Sequence, residues 1–188
     1  MDQLAQTVAR IITERNNRSP FLVAIEGRCA AGKTTLAHRL EGLLPCSVIH
    51  MDHFFLRPEQ RTEGRLSTPG ENVDHERFLR EILLPLRQGE TVSYRPFSCK
   101  TMTLEAPLSV KKQPIYVIEG SYCCHPLLRE YYDLRLFLDV DPKEQMNRIL
   151  GRNGKEGAEQ FQNRWIPLEE QYISRYCSPN VFDLRFLT

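Results

Sequence analysis

The chain has 188 residues, 41% of them hydrophobic and 26% charged, with a formal net charge of +1. That length and balance suit one globular domain able to bury its own core without disulfides or a structural metal, and they exclude global disorder. Near-neutrality argues against a strongly electrostatic nucleic-acid or membrane-surface binder, and no window approaches the roughly 18 apolar residues of a membrane span.

The first 18 residues place Leu4, Val8, Ile11 and Ile12 at helical spacing and predict an amphipathic helix of the domain. Short apolar runs follow at Phe21–Glu26, Ser47–Met51, Ile115–Ile118, Leu134–Val140 and, more weakly, Val181–Phe186. The near-continuous apolarity of the first and third predicts strands covered on both faces, as in a parallel sheet. Helical patterns alternate with them. Lys33–Leu44 carries Leu36, Leu40, Leu43 and Leu44 on one stripe, and Asp74–Arg87 carries Phe78, Ile82, Leu83 and Leu86. Pro142–Leu150 begins with Asp141 as N-cap, Pro142 at the first position and Glu144 closing a capping box. A last pattern from Glu156 to Tyr176 aligns Phe161, Trp165, Leu168 and Tyr172, with a kink expected at Pro167. The alternation predicts an α/β fold around a parallel sheet, in a single domain spanning residues 1–188.

One stretch breaks the rhythm. About sixty residues, 53–114, separate two strands and hold six of the twelve prolines. An excursion of that length implies a substrate-binding elaboration. Thr91–Arg95 and Ala106–Val110 are its expected hairpin. The six cysteines, at 29, 46, 99, 123, 124 and 177, form no C-x-x-C pair and read as free thiols in a reducing cytoplasm.

Chemistry concentrates at strand ends. Gly27-Arg28-Cys29-Ala30-Ala31-Gly32-Lys33-Thr34 is a complete G-x-x-x-x-G-K-T between a predicted strand and a predicted helix. Glycines let the backbone curl so that successive N–H groups face a polyphosphate, and the helix N-terminus adds its positive end. The expected nucleotide-binding set is therefore Gly27, Ala30, Ala31, Gly32, Lys33, Thr34 and Thr35. Lys33 reaches the β- and γ-phosphates, and the Thr34 hydroxyl ligates Mg²⁺. Asp52, just beyond the second strand, is placed to orient an acceptor hydroxyl, take its proton and touch the metal, or else is an ordinary turn residue. Glu119, ending the third, holds the position of a Mg²⁺-directed carboxylate, or else is a loop glutamate.

Together, IEGRCAAGKTT, MDHFF, ENVDHERF, YRPF and VIEGSY make the chain resemble the uridine kinase and phosphoribulokinase group of P-loop kinases over roughly residues 20–186. The resemblance implies a P-loop NTPase three-layer sandwich with five parallel strands ordered 2-3-1-4-5. It also implies ATP and Mg²⁺ as cosubstrates, with Asp52 as catalytic base. Asp74, Tyr94 and Phe97 would line the acceptor pocket, although Asp74 is equally an N-cap with Val73 and Phe78 as its hydrophobic staple. The family's arginine-rich lid maps to residues 142–177, where Arg148 is the catalytic candidate, Arg152 the nucleotide-binding one and Arg164 a further cation. The histidine that follows the Tyr-x-Phe element in uridine kinases is missing, since Phe97 is followed by Ser98-Cys99-Lys100. The expected activity is phosphorylation of a hydroxyl on a nucleoside or other sugar-like metabolite. The expected partner is that small molecule, with no nucleic acid and no membrane, and a homo-oligomer is compatible. A regulatory ATP-binding module is the alternative; the guanine-reading strings N-K-x-D and D-x-x-G do not occur.

Overall fold

The computed structural model describes all residues 1–188. Strand β1, Phe21–Gly27, is buried along its whole length and pairs in parallel with β7, Ile115–Glu119, on one side and β8, Leu134–Asp139, on the other. β2, Cys46–His50, lies outside β7, and β9, Leu184–Leu187, outside β8, so the spatial order is β2-β7-β1-β8-β9. Counted along the chain, that is 2-3-1-4-5. Alternation along β1 divides the core in two. Phe21, Val23 and Ile25 pack with Val8 and Ile12 of α1, Asp2–Arg15, and with Leu36 and Leu40 of α2, Lys33–Glu41. Leu22 and Ala24 face the other way, toward Phe54, Phe78, Ile82 and Tyr172. The result is a three-layer sandwich.

After β2 the chain leaves the sheet through a short 3₁₀ turn, Met51–Phe54, and a short helix α3, Glu63–Ser67. It then runs helically over 75–87 as α4, His75–Phe78, a π-helical turn, Leu79–Leu83, and α5, Leu84–Arg87. The expected hairpin is present: β3, Ser93–Tyr94, pairs antiparallel with β6, Leu108–Ser109, around an inner pair of β4, Phe97–Ser98, and β5, Thr103–Leu104. Two helices close the chain, α6, Pro142–Gln160, and α7, Ile166–Tyr176, joined by a second π-helical turn, Phe161–Trp165. Both π turns lie just upstream of a proline, Pro85 or Pro167, whose missing N–H removes one rung of the α-helical ladder.

Three local expectations need correction. The backbone breaks at Gly154 (φ 69°, ψ −176°) inside α6, while the disturbance near Pro167 is spread through the preceding π turn. Glycine tolerates that left-handed φ, so the bend settles there. α2 ends at Glu41, which leaves Leu43 half exposed at 49% instead of on the apolar stripe. Asp141 does cap α6, accepting from the N–H groups of Lys143 and Glu144, but Glu144 turns to Arg148 at 2.8 Å and does not close the box.

Candidate active site

The carboxyl ends of β1, β2 and β7 open into one cleft of about 540 Å³. The cradle follows from glycine at Gly27, where φ is +143° and an added β-carbon would lie 2.1 Å from the Leu138 carbonyl oxygen of the neighbouring strand. No side chain fits that approach, so the loop leaves the sheet tightly and delivers Lys33 to the first turn of α2. Lys33 is buried and folds its ammonium back over the loop. Its Nζ donates to the carbonyls of Gly27 (2.6 Å) and Arg28 (2.8 Å) and to Ser121 Oγ (3.3 Å).

Beside it the Thr34 hydroxyl donates to both oxygens of Glu119, at 3.1 and 3.2 Å. Glu119 is buried at the end of β7 and is also met by His50 Nδ1 at 2.5 Å. That hydrogen bond is the main reason the imidazole is held above its ordinary pKa. Asp52 lies two residues past β2 and opens into the cleft. Its carboxyl is pushed above the usual carboxylate range by desolvation and by the charge of Glu119, against Lys33, His50 and Arg152, which pull it down. Gly120 makes this closeness possible. With φ +139°, a β-carbon there would sit 2.7 Å from Met51 Cβ and 3.5 Å from Asp52 Oδ1. Phosphate-loop lysine, metal-type hydroxyl and two carboxylates thus share one rim.

No family model matches the chain. By sequence it is 24% identical to a uridine kinase of Ureaplasma parvum over 178 residues, covering 84% of each. By structure it superposes on a protein described as a possible uridine kinase from Bacillus stearothermophilus with a TM-score of 0.74 at 19% identity, covering 97% of this chain and 96% of the other. A candidate fructose transport system kinase from Silicibacter sp. TM1040 gives a TM-score of 0.75 at 22% identity, covering 97% and 98%. The chain shares its fold with these two proteins.

On this fold the other expected residues divide into those that meet the cleft and those that support it. Ala30, Gly32, Thr35, Arg148 and Arg152 line it with Lys33 and Thr34, whereas Gly27 and Ala31 are buried behind the loop. Arg148 donates to the Ala30 carbonyl at 3.2 Å and pairs with Glu144, which ties it to the phosphate loop. Arg152 lies over the Phe161 ring, 5.7 Å from its centroid, and Arg164 over Trp165, exposed and outside the cleft. Asp74 is buried and serves as N-cap of α4, its Oδ1 accepting from Arg77 N at 3.1 Å. Its Oδ2 has no hydrogen-bond partner, and Arg57 Nε stands 3.8 Å away. Tyr94 and Phe97 are buried, with the Tyr94 hydroxyl 2.8 Å from His53 Nδ1. None of Asp74, Tyr94 and Phe97 lines the cleft.

The sequence reading missed a tier beneath the rim. Glu169 of α7 is buried, and its Oε1 accepts from Cys29 N (2.7 Å) and Ser121 Oγ (3.2 Å) while Oε2 accepts from Gln145 Nε2 (3.3 Å). This carboxylate pins the lid-side helix to the phosphate loop and, through Ser121, to Lys33. Glu26, one residue before the loop, accepts from the N–H groups of Gly27 (2.9 Å), Tyr122 (3.0 Å) and Cys124 (3.0 Å). Burial dominates there and raises its pKa to about 7. Position announces Glu26, an acid inside an otherwise apolar strand; Glu169 carries no local signal. Burial and the Glu169 carboxylate push the Cys29 thiol up to about 12, away from the thiolate form a nucleophile needs. All six cysteines are free.

The Thr34 hydroxyl and the carboxylates of Glu119 and Asp52 make an all-oxygen donor set, the kind a hard Mg²⁺ ion takes. The residues present therefore fit the metal the fold implies.

Proposed function

We propose that this chain is an ATP-dependent kinase that moves the γ-phosphate onto a hydroxyl of a small sugar-like metabolite, with a uridine- or cytidine-like nucleoside as the first candidate. The observation that carries the reading is the convergence of Lys33, Thr34, Asp52 and Glu119 on one cleft. The similar proteins, uridine kinases among them, point the same way.

The loop amides and Lys33 hold the triphosphate. For that, Lys33 Nζ leaves the carbonyls of Gly27 and Arg28 and turns outward. Thr34 and Glu119 would hold Mg²⁺, which would supply positive charge against the negative charge that builds on the phosphates. Asp52 orients the acceptor hydroxyl and takes its proton; the acceptor oxygen bonds to the γ-phosphorus as the bond to the β–γ bridging oxygen breaks, releasing ADP. Arg148 and Arg152 stabilise negative charge on the phosphoryl oxygens.

Asp52→Asn tests the assignment. Transfer from γ-labelled ATP should fall by about 10²- to 10⁴-fold while nucleotide binding, followed by Trp165 fluorescence, persists. Unchanged turnover in that variant defeats the role of Asp52. ATP hydrolysis that needs no acceptor defeats the kinase reading itself.

A further inference from the structure

Away from the rim, two clusters of titratable side chains have no part in phosphoryl transfer. Glu26, Cys123 and Cys124 form the first, but the carboxylate there is committed to three backbone N–H groups. Glu71, His75 and His125 form the second, with their ligating atoms within 4.8 Å of one another. Glu71 and His75 belong to the elaboration, just before and at the start of α4, and His125 to the turns that follow β7. None of the three lines the cleft.

The second cluster is firmly placed. Its two imidazoles stack with centroids 4.1 Å apart and planes 16° from parallel, and both histidines are buried, at 3% and 6% exposure. The His125 carbonyl accepts from the N–H groups of Leu128 (2.7 Å) and Arg129 (3.0 Å), which fixes its backbone. Gly70 (φ +86°) lets the chain pass so close that a β-carbon there would lie 2.7 Å from Tyr172 Cδ2 and 3.5 Å from His125 Cδ2. Yet the three groups do not bond to one another. His75 Nδ1 is buried without a hydrogen-bond partner, 3.9 Å from Glu71 Oε2. His125 Nε2 stands 3.4 Å from Glu71 Oε1, beyond the ordinary N–H···O range. His75 Nε2 faces Glu76 Oε1 at 3.5 Å, and that carboxylate favours the proton on Nε2, leaving a lone pair on Nδ1. A lone pair and a carboxylate that face each other repel unless a cation sits between them. The cation beside Glu71, Arg65, is 3.6 Å from Oε2 and bonds to Glu76 (3.0 Å) and the Val73 carbonyl (3.1 Å) instead. The separations suit a metal ion: bonds of about 2.0–2.1 Å in a tetrahedron set neighbouring ligand atoms about 3.3–3.4 Å apart. Two imidazole nitrogens and a carboxylate suit zinc and its transition-metal neighbours, whereas Mg²⁺ and Ca²⁺ prefer oxygen throughout. Glu71 is only partly buried, which gives an ion a way in.

We propose that Glu71, His75 and His125 form a binding site for a zinc-class divalent cation, separate from the all-oxygen rim at Thr34 and Glu119. His75 binds through Nδ1, His125 through Nε2 and Glu71 through its carboxylate. Binding moves the His125 proton to Nδ1 and gives up the 3.3 Å contact from the Leu127 N–H. The ion ties the elaboration to the turns after β7. Each end of that tie stands close in sequence to residues that line the cleft, Asn72 beside Glu71 and Tyr122 ahead of His125. The site is therefore a structural clamp, and it does not rest on the kinase reading.

The test is direct binding of Zn²⁺ and of Co²⁺ to the full chain after chelator treatment, without nucleotide, by calorimetry and by the visible absorption of Co²⁺. A single equivalent of either ion should bind, Co²⁺ should show the intense visible bands of tetrahedral ligation, and Zn²⁺ should raise Tm as its concentration rises. Glu71→Gln, His75→Gln and His125→Gln should each weaken binding by about 100-fold or more. Should a histidine variant fail to fold, Glu71→Gln still decides, because its side chain is the partly exposed one. No binding of either ion to the wild-type chain at about 100 μM overturns the inference. So does binding that survives all three substitutions; its loss in His50→Gln would then place the ion at the rim with Glu119. Neither result touches the kinase reading.

Discussion

On the nucleotide side of the cleft, each site residue stands within a few positions of a buried strand end: Gly27 and Lys33 after β1, Asp52 after β2, Glu119 at the end of β7. The acceptor side is assembled from residues 53–114 by a 3₁₀ turn, short helices and strands of two residues each. β1 and β7 are paired on both sides, which holds their ends still, so Gly27, Lys33 and Glu119 stand on the stiffest part of the molecule, while Asp52 follows the edge strand β2. The elaboration has little sheet to lean on and uses side chains in its place. Arg77 donates to the carbonyls of His53 (3.0 Å) and Arg95 (3.3 Å), and its guanidinium lies 4.3 Å from the Phe54 ring centroid. A scaffold of that kind can exchange acceptor contacts without disturbing the phosphate cradle.

Glycine substitutions should separate the two halves most sharply. Gly27→Ala drives a β-carbon into the β8 backbone, and unfolding in urea should show a loss on the order of 4 kcal/mol or more, or no folded protein. A variant within about 1 kcal/mol of wild type would mean that the cradle is looser than its contacts imply.

Next in size is the titration of Glu26. Its folded pKa, about 7, lies above the value of 4.5 it has when solvated, so the folded state binds the proton more tightly. The stability this contributes is full below about pH 4.5 and is lost as pH rises to about 7, a change on the order of 3 kcal/mol. In Glu26→Gln that dependence disappears. Denaturation at a series of pH values should therefore show the gap between wild type and variant drifting in the variant's favour up to about pH 7 and levelling above it. A constant gap would place Glu26 in a wetter site than its burial indicates.

Gly64→Ala is the smallest effect and has the opposite sign. Gly64 sits inside α3 on the acceptor side with nothing within 4 Å of an added β-carbon. Alanine should stabilise by about 0.5–1 kcal/mol, read as a small rise in Tm. A loss there comparable to Gly27→Ala would erase the contrast between the two halves.

How much of this was legible depended on how local the cause was. The five strands, the loop glycines and the cap at Asp141 announce themselves within a few residues, because alternation, φ freedom and side-chain capping act at short range. The bend at Gly154 was misplaced to Pro167, since a missing N–H can be absorbed one turn upstream while a glycine yields in place. Asp74 was ambiguous as a string and is a cap in space, with one oxygen on Arg77 N and the other unpartnered.

What the linear order of residues determined, then, is the strand–loop–helix cradle and the acidic residues that follow the strands, for these depend on backbone chemistry repeated over a few positions. Only the folded chain decided that Glu169, 140 residues from Cys29, would pin the phosphate loop, that Thr34 and Glu119 would meet across 85 residues, and that His125 would join Glu71 and His75. The physical reason is that a contact between distant residues is set by the path of the whole sheet, and no local pattern of polarity or propensity encodes that path.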